Sequence, residues 1–157
     1  MGYLTIRPHS KSPAGRVREK FVRVRKFATE IAGPEDLELD LFSTAAPRLL
    51  ISAFDRHQDS PGGIYSVALT PSGPGPARLL VSEVENSPLQ PHGISLTRSR
   101  DGSGRLYVIN HRKSRQRVES LQHTVEVFRL AAGDAGLRHE KTLADPLLAS
   151  PNDLFAL

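Results

Sequence analysis

Two stretches decide the fold: "EDLELDLFSTAAPRLLISAFDR" (Glu35–Arg56) and "HGISLTRSRDGSGRLYVINHRK" (His92–Lys113). Set one on the other, Leu37 meets Ile94, Leu39 meets Leu96, Arg48 meets Arg105 and Ile51 meets Val108, a constant offset of 57 residues. Each stretch reads as two strands, an alternating apolar run and an aliphatic run, and each is followed by two more: "GGIYSVAL" and "ARLLVSEV" in the first half, "TVEVFRLA" and "LRHEKTLA" in the second. Residues that tolerate tight reversals stand between them, in "DGSG" (Asp101–Gly104), "PSGPGP" (Pro71–Pro76) and "AGDAG" (Ala132–Gly136).

A four-stranded antiparallel unit that recurs at this period predicts an all-β chain built as a partial β-propeller, in which each blade buries its faces against its neighbours. Residues 33–157 then hold two blades, and "NDLFAL" (Asn152–Leu157), 60 residues after His92, opens a third. A closed ring takes at least four blades, about 230 residues at this period, and six need about 340. The chain is therefore expected to be the N-terminal part of a larger ring, with uncovered blade faces on which it would self-associate.

Composition agrees. Apolar residues make up 38% of the 157, with 12 Gly and 12 Pro, which suits short strands and many turns. There is no Cys, so disulfides, thiol nucleophiles and thiolate metal sites are excluded. No apolar run is long enough for a membrane span, and the first residues show no signal-peptide core, which leaves the compartment open. The net charge of +4 is uneven: residues 1–30 carry eight Lys/Arg against Glu19 and Glu30. Residues 1–32 read as a basic, solvated arm. They hold no nucleic-acid-binding motif, so no nucleic-acid partner is expected. The run "HRKSRQR" (His111–Arg117) reads as a solvated loop, since it lacks the Gly-rich turn and helix of a phosphate site. Neither a G-x-S-x-G elbow nor an H-E-x-x-H motif occurs.

In five pieces the chain resembles the calcium-dependent six-bladed propeller hydrolases, the paraoxonase/arylesterase group and its gluconolactonase, senescence-marker-protein and luciferin-regenerating-enzyme-like relatives. The pieces are "GPEDLELD" (Gly33–Asp40), "PHGISL" (Pro91–Leu96), "LYVINH" (Leu106–His111), "TVEVFRL" (Thr124–Leu130) and "SPNDLFA" (Ser150–Ala156), in the order of that family. The resemblance implies hydrolysis of small-molecule esters or lactones with two calcium ions. Glu35 and Asn152 would be ligands of the catalytic calcium. Asp36, Asp153 and the carbonyl of Ile94 would hold the structural one, and His92 and His111 would form a pair that is, or feeds, the general base. The loop "DRHQDSPGG" (Asp55–Gly63) falls where that family places a substrate-facing loop. Its remaining ligands, an Asn and an Asp-Asn pair, would lie beyond Leu157.

Oxygen donors of this kind suit a hard cation, whereas His suits proton transfer. Read singly, Glu35-Asp36 and Asn152-Asp153 are better taken as turn or cap residues before strands, and the two histidines as hydrogen-bonded structural residues. The shared register of Glu35, His92 and Asn152 favours the site. A non-catalytic propeller fragment or association module is the alternative function, because the resemblance places further ligands outside this chain.

Overall fold

The computed structural model describes residues 31–41, 46–57, 62–113, 121–130 and 136–157. The basic arm, most of the His111–Arg117 run, and parts of the Asp55–Gly63 loop and of the Ala132–Gly136 turn lie outside them. The described residues form ten strands: β1 (Pro34–Asp40), β2 (Arg48–Ala53), β3 (Gly63–Thr70), β4 (Gly73–Val81), β5 (Glu83–Val84), β6 (Ser87–Pro88), β7 (Pro91–Arg98), β8 (Gly104–Lys113), β9 (Leu121–Leu130) and β10 (Arg138–Ala144). They form two four-stranded antiparallel meanders, β1-β2-β3-β4 and β7-β8-β9-β10, with β5 and β6 paired between them. The two units of the repeat are thus two blades of an all-β structure.

Two details depart from the sequence pattern. "PSGPGP" is read above as a turn, yet only Pro71 and Ser72 reverse the chain, and β4 begins at Gly73 and runs through Pro74 and Pro76. Since β4 is an edge strand, a proline without an N–H costs it no ladder bond on the open side. "EVENSP" (Glu83–Pro88) closes as a separate hairpin, whose two turn residues, Glu85 (φ 49°) and Asn86 (φ 60°), both take left-handed backbone as a type I′ turn requires.

The blades meet across an apolar layer of Leu50, Ile64, Ile94, Leu106, Val108 and Phe128, into which the connecting hairpin inserts Val84 and Leu89. At about 1.5–3 kcal/mol for each such side chain, this layer is the main attraction between the blades. β2 is buried on both faces: Ile51 and Ala53 turn the other way, onto Ile31 and Val67.

Beside the apolar layer runs a polar seam. β7 is the edge of its sheet, so alternate N–H groups have no strand to bond. The acids of "EDLELD" supply them: Asp36 Oδ2 accepts from Ile94 N (2.8 Å) and Glu38 Oε1 from Leu96 N (2.9 Å). At the far end the fully buried Asp40 receives Arg98 Nη2 and, from β2, Arg48 Nε (3.0 Å). The period of two therefore turns the acids inward and leaves Leu37 and Leu39 outside, 58% and 47% exposed.

Residues 151–157 carry no ladder pairing among the described residues, but they lie along β7 as β7 lies along β1. Ser95, which matches Glu38 in the repeat, takes the N–H of Ala156 (3.2 Å) as Glu38 takes that of Leu96. Gly93 permits the approach, because a Cβ there would stand 2.6 Å from the Asn152 carbonyl oxygen and 2.7 Å from the Asp153 Cα. The segment thus sits where a third blade begins.

Candidate active site

At the end of the seam opposite Asp40, the starts of β1 and β7, the end of β8 and residues 151–153 come together. The repeat places Glu35, His92 and Asn152 at equivalent points of successive units, so a shared register brings them to one end. His92 and His111 stack with ring centroids 4.9 Å apart and planes at 20°. His92 Nδ1 lies 2.9 Å from the Asn152 carbonyl, and His111 Nε2 lies 2.8 Å from that of Pro151. The expected histidine pair is formed, and Glu35 reaches it, its Oε2 3.1 Å from His92 Nε2.

Two residues not singled out from the sequence also touch His92. Arg56, just after β2, places Nη2 2.6 Å from His92 Nε2 and 3.3 Å from Glu35 Oε1. The buried Ser52 of β2 donates its hydroxyl to the His92 carbonyl. His92 Nε2 cannot both accept from Arg56 and donate to Glu35. The Arg56 contact is shorter and its donor is permanently charged, so Nε2 carries the lone pair and Nδ1–H donates to Asn152.

His111 favours its neutral form. Burial lowers its pKa below the ordinary histidine value, the bond to Pro151 opposes this, and the electrostatic influence of the neighbouring His123, His92 and Arg56 side chains adds to the lowering. Nε2–H serves Pro151, so Nδ1 is its free lone pair. His123, which faces His111 across the β8–β9 ladder, packs edge-on at 4.7 Å. The only signal that could have found it is the strand register, which the intervening loop hides.

The expected metal ligands are less closely gathered. Asp36 accepts from Leu37 N and Ile94 N, both at 2.8 Å, which sets its carboxylate on the backbone of Ile94. Asp153 accepts from Leu154 N (2.8 Å), and its Oδ1 lies 3.2 Å from where a Gly93 Cβ would stand. Asp36 and Asp153 thus both abut the Gly93–Ile94 backbone. Among the described residues no three His, Asp or Glu side chains converge to hold a metal ion.

The arylesterase family model matches residues 39–157, three quarters of the chain. The chain belongs to the arylesterase family. This arylesterase-family chain is 34% identical over 132 residues to serum paraoxonase/arylesterase 1 of Mus musculus, covering 80% of itself and 35% of that protein. It is 35% identical over 100 residues to serum paraoxonase/lactonase 3 of Mus musculus and to serum paraoxonase/arylesterase 2 of Bos taurus, covering 63% of itself and 26% of each. The chain spans about a quarter to a third of the length of these relatives. No helix among the described residues is long and apolar enough to cross a membrane.

Proposed function

We propose that residues 33–157 carry part of the active site of a calcium-dependent hydrolase of carboxylic esters or lactones. The observation that carries this reading is the stacked His92–His111 pair set between Glu35 and the Asn152 backbone. The donor set fits the metal: Glu35, Asp36, Asn152, Asp153 and the Ile94 carbonyl offer only oxygen, the chemistry a hard cation takes, and the two aspartates abut the one Gly93–Ile94 segment. Calcium, when bound, would polarise the substrate carbonyl and stabilise the oxyanion.

The chain's own residues would handle the proton. His92 Nε2 holds the lone pair that accepts from Arg56 Nη2 and, once that guanidinium turns away, is the candidate to take the proton of a water as its oxygen attacks the carbonyl carbon. The proton would then pass to the departing alkoxide or phenoxide as the ester C–O bond breaks. Nδ1–H to Asn152 fixes the tautomer and steadies the imidazolium formed in between. His111, stacked on His92, keeps one ring face dry and holds a second lone pair at Nδ1.

Calcium takes six to eight oxygens, more than these five residues supply singly, so binding by this chain should be weak, roughly millimolar. Calorimetric titration of the chain, with Glu35→Ala and Asp153→Ala as controls, tests this. Micromolar binding, or binding indifferent to both substitutions, would sink the metal assignment. Hydrolysis of phenyl acetate and a lactone should be near background with this chain alone.

A second reading, self-association through uncovered sheet, is favoured by Leu37, Leu39, Leu41 and Leu79, each 47–61% exposed on the first blade. Light scattering coupled to size exclusion should then show dimers or larger species that shift toward monomer in Leu37→Ser/Leu39→Ser. A monomer at all concentrations rejects it.

A further inference from the structure

Glu126 stands in β9 between Val125 and Val127, fully buried in a strand whose neighbours are apolar. A carboxylate there is costly unless its oxygens are occupied. They are: Oε1 accepts from Asn110 Nδ2 (3.0 Å) and Thr124 Oγ1 (2.8 Å), while Oε2 receives Thr142 Oγ1 and lies 3.1 Å from His139 Nε2. Arg112 Nε is 3.8 Å away. Burial works to raise the Glu126 pKa, but the hydrogen bonds from Thr142, Asn110 and Thr124 outweigh it, so the group stays ionised.

An ionised carboxylate can only accept, and this fixes the Asn110 amide. Its NH2 must face Glu126, which leaves Oδ1 for the N–H of Gln90 (3.0 Å), and the Gln90 carbonyl in turn accepts from His111 N (3.0 Å). These two bonds clasp the start of β7 to the end of β8. They stand where the ladder cannot do so: Pro91 has no N–H, and the β7–β8 register shifts between Pro91 and Ile94, the stretch that carries His92.

We propose that Glu126 is a positioning residue for the histidine pair, acting through Asn110 to hold the Gln90 backbone and so the placement of the His92 ring over that of His111. The inference rests on the pair being the working part of the site, as proposed above, but its test needs no turnover.

With this chain isotopically labelled, NMR would read the contact between the His92 and His111 ring protons and the exchange rate of the Gln90 amide. Asn110→Leu and Glu126→Leu should abolish the ring contact and speed Gln90 exchange at least tenfold relative to amides of the β8–β9 ladder. Glu126→Gln should keep both, since it can present its amide oxygen to Asn110. Thr142→Val, which removes a Glu126 partner and leaves Asn110 alone, should also keep both while lowering stability. A ring contact that survives both leucine variants, or that is lost equally in Thr142→Val, would overturn the proposal. If the leucine variants do not fold, Asn110→Ser, too short to span Glu126 and Gln90, is read the same way. Failure of all three to fold would assign the network to stability alone and also overturn it. Calcium titrated into the same samples separates this from the site reading, because the ring contact should follow Asn110 whether or not metal binds.

Discussion

Removing the Asp40 carboxylate should be among the most damaging single changes in the chain. Asp40 is wholly buried, and the Arg48 and Arg98 side chains that reach it are each only 7% exposed. Breaking a buried ion pair from one side costs about 3–5 kcal/mol, because the partner is left charged and dry. Asp40→Ala removes the carboxylate that two guanidiniums share, and although Arg98 keeps its bond to the Gly102 carbonyl (2.6 Å), the loss should fall in that range. With an m-value near 2 kcal/mol/M, a loss of about 4 kcal/mol lowers the urea midpoint by about 2 M. That is a large share of the 5–15 kcal/mol a domain has in total, so Asp40→Ala is expected to be largely unfolded in dilute urea. The triple change Asp40→Leu/Arg48→Met/Arg98→Met, which removes the charges together, should recover most of it. Urea unfolding followed by circular dichroism checks both. A single-mutant loss below about 1 kcal/mol, or a triple mutant no better than the single, would refute the reasoning.

Two further outcomes follow from the site. Gly93→Ala should push residues 152 and 153 off β7, since the new Cβ would lie 2.6–2.7 Å from backbone atoms; a His92 imidazole spectrum unchanged by the substitution contradicts the packing described. His111 has a folded-state pKa below its ordinary value of 6.5, so the unfolded chain binds the proton more readily. Its contribution is intact above about pH 6.5 and declines as pH falls from there toward the folded pKa. His111→Gln, which can still donate to Pro151, should flatten the fall in urea midpoint between pH 7.5 and 5.5, and an identical slope in both proteins would count against a buried neutral His111.

The blades were legible because the 57-residue offset repeats apolar positions in step, and strand pairing has to respect that step. The repeat also carries Glu35, His92 and Asn152 to one end, whereas His111 has no counterpart in it and came only from the family resemblance. What escaped the sequence lies where local chemistry gives a double message. Pro74 and Pro76 signal a turn, and only the edge position of β4 makes them strand residues. Leu37 and Leu39 look like the buried side of β1, yet the unsatisfied N–H groups of β7 draw in the acids instead. Glu126 and Asn110 look like solvent-side residues of alternating strands, and Arg56 and Ser52 like loop and filler. Their partners are 16–40 residues away, at distances no local pattern specifies.

The acidic seam of β1 also acts as a key. Each blade offers its successor a set of side chains cut to that successor's open edge: two carboxylates and a buried acid for β7, then a glycine and a hydroxyl where residues 152–156 approach. An apolar layer alone would accept any blade of similar width, in any order. A seam that differs from joint to joint accepts one neighbour and rejects a copy of itself, so a duplicated blade cannot slip into the wrong place around the axis without stranding either an acid or an amide.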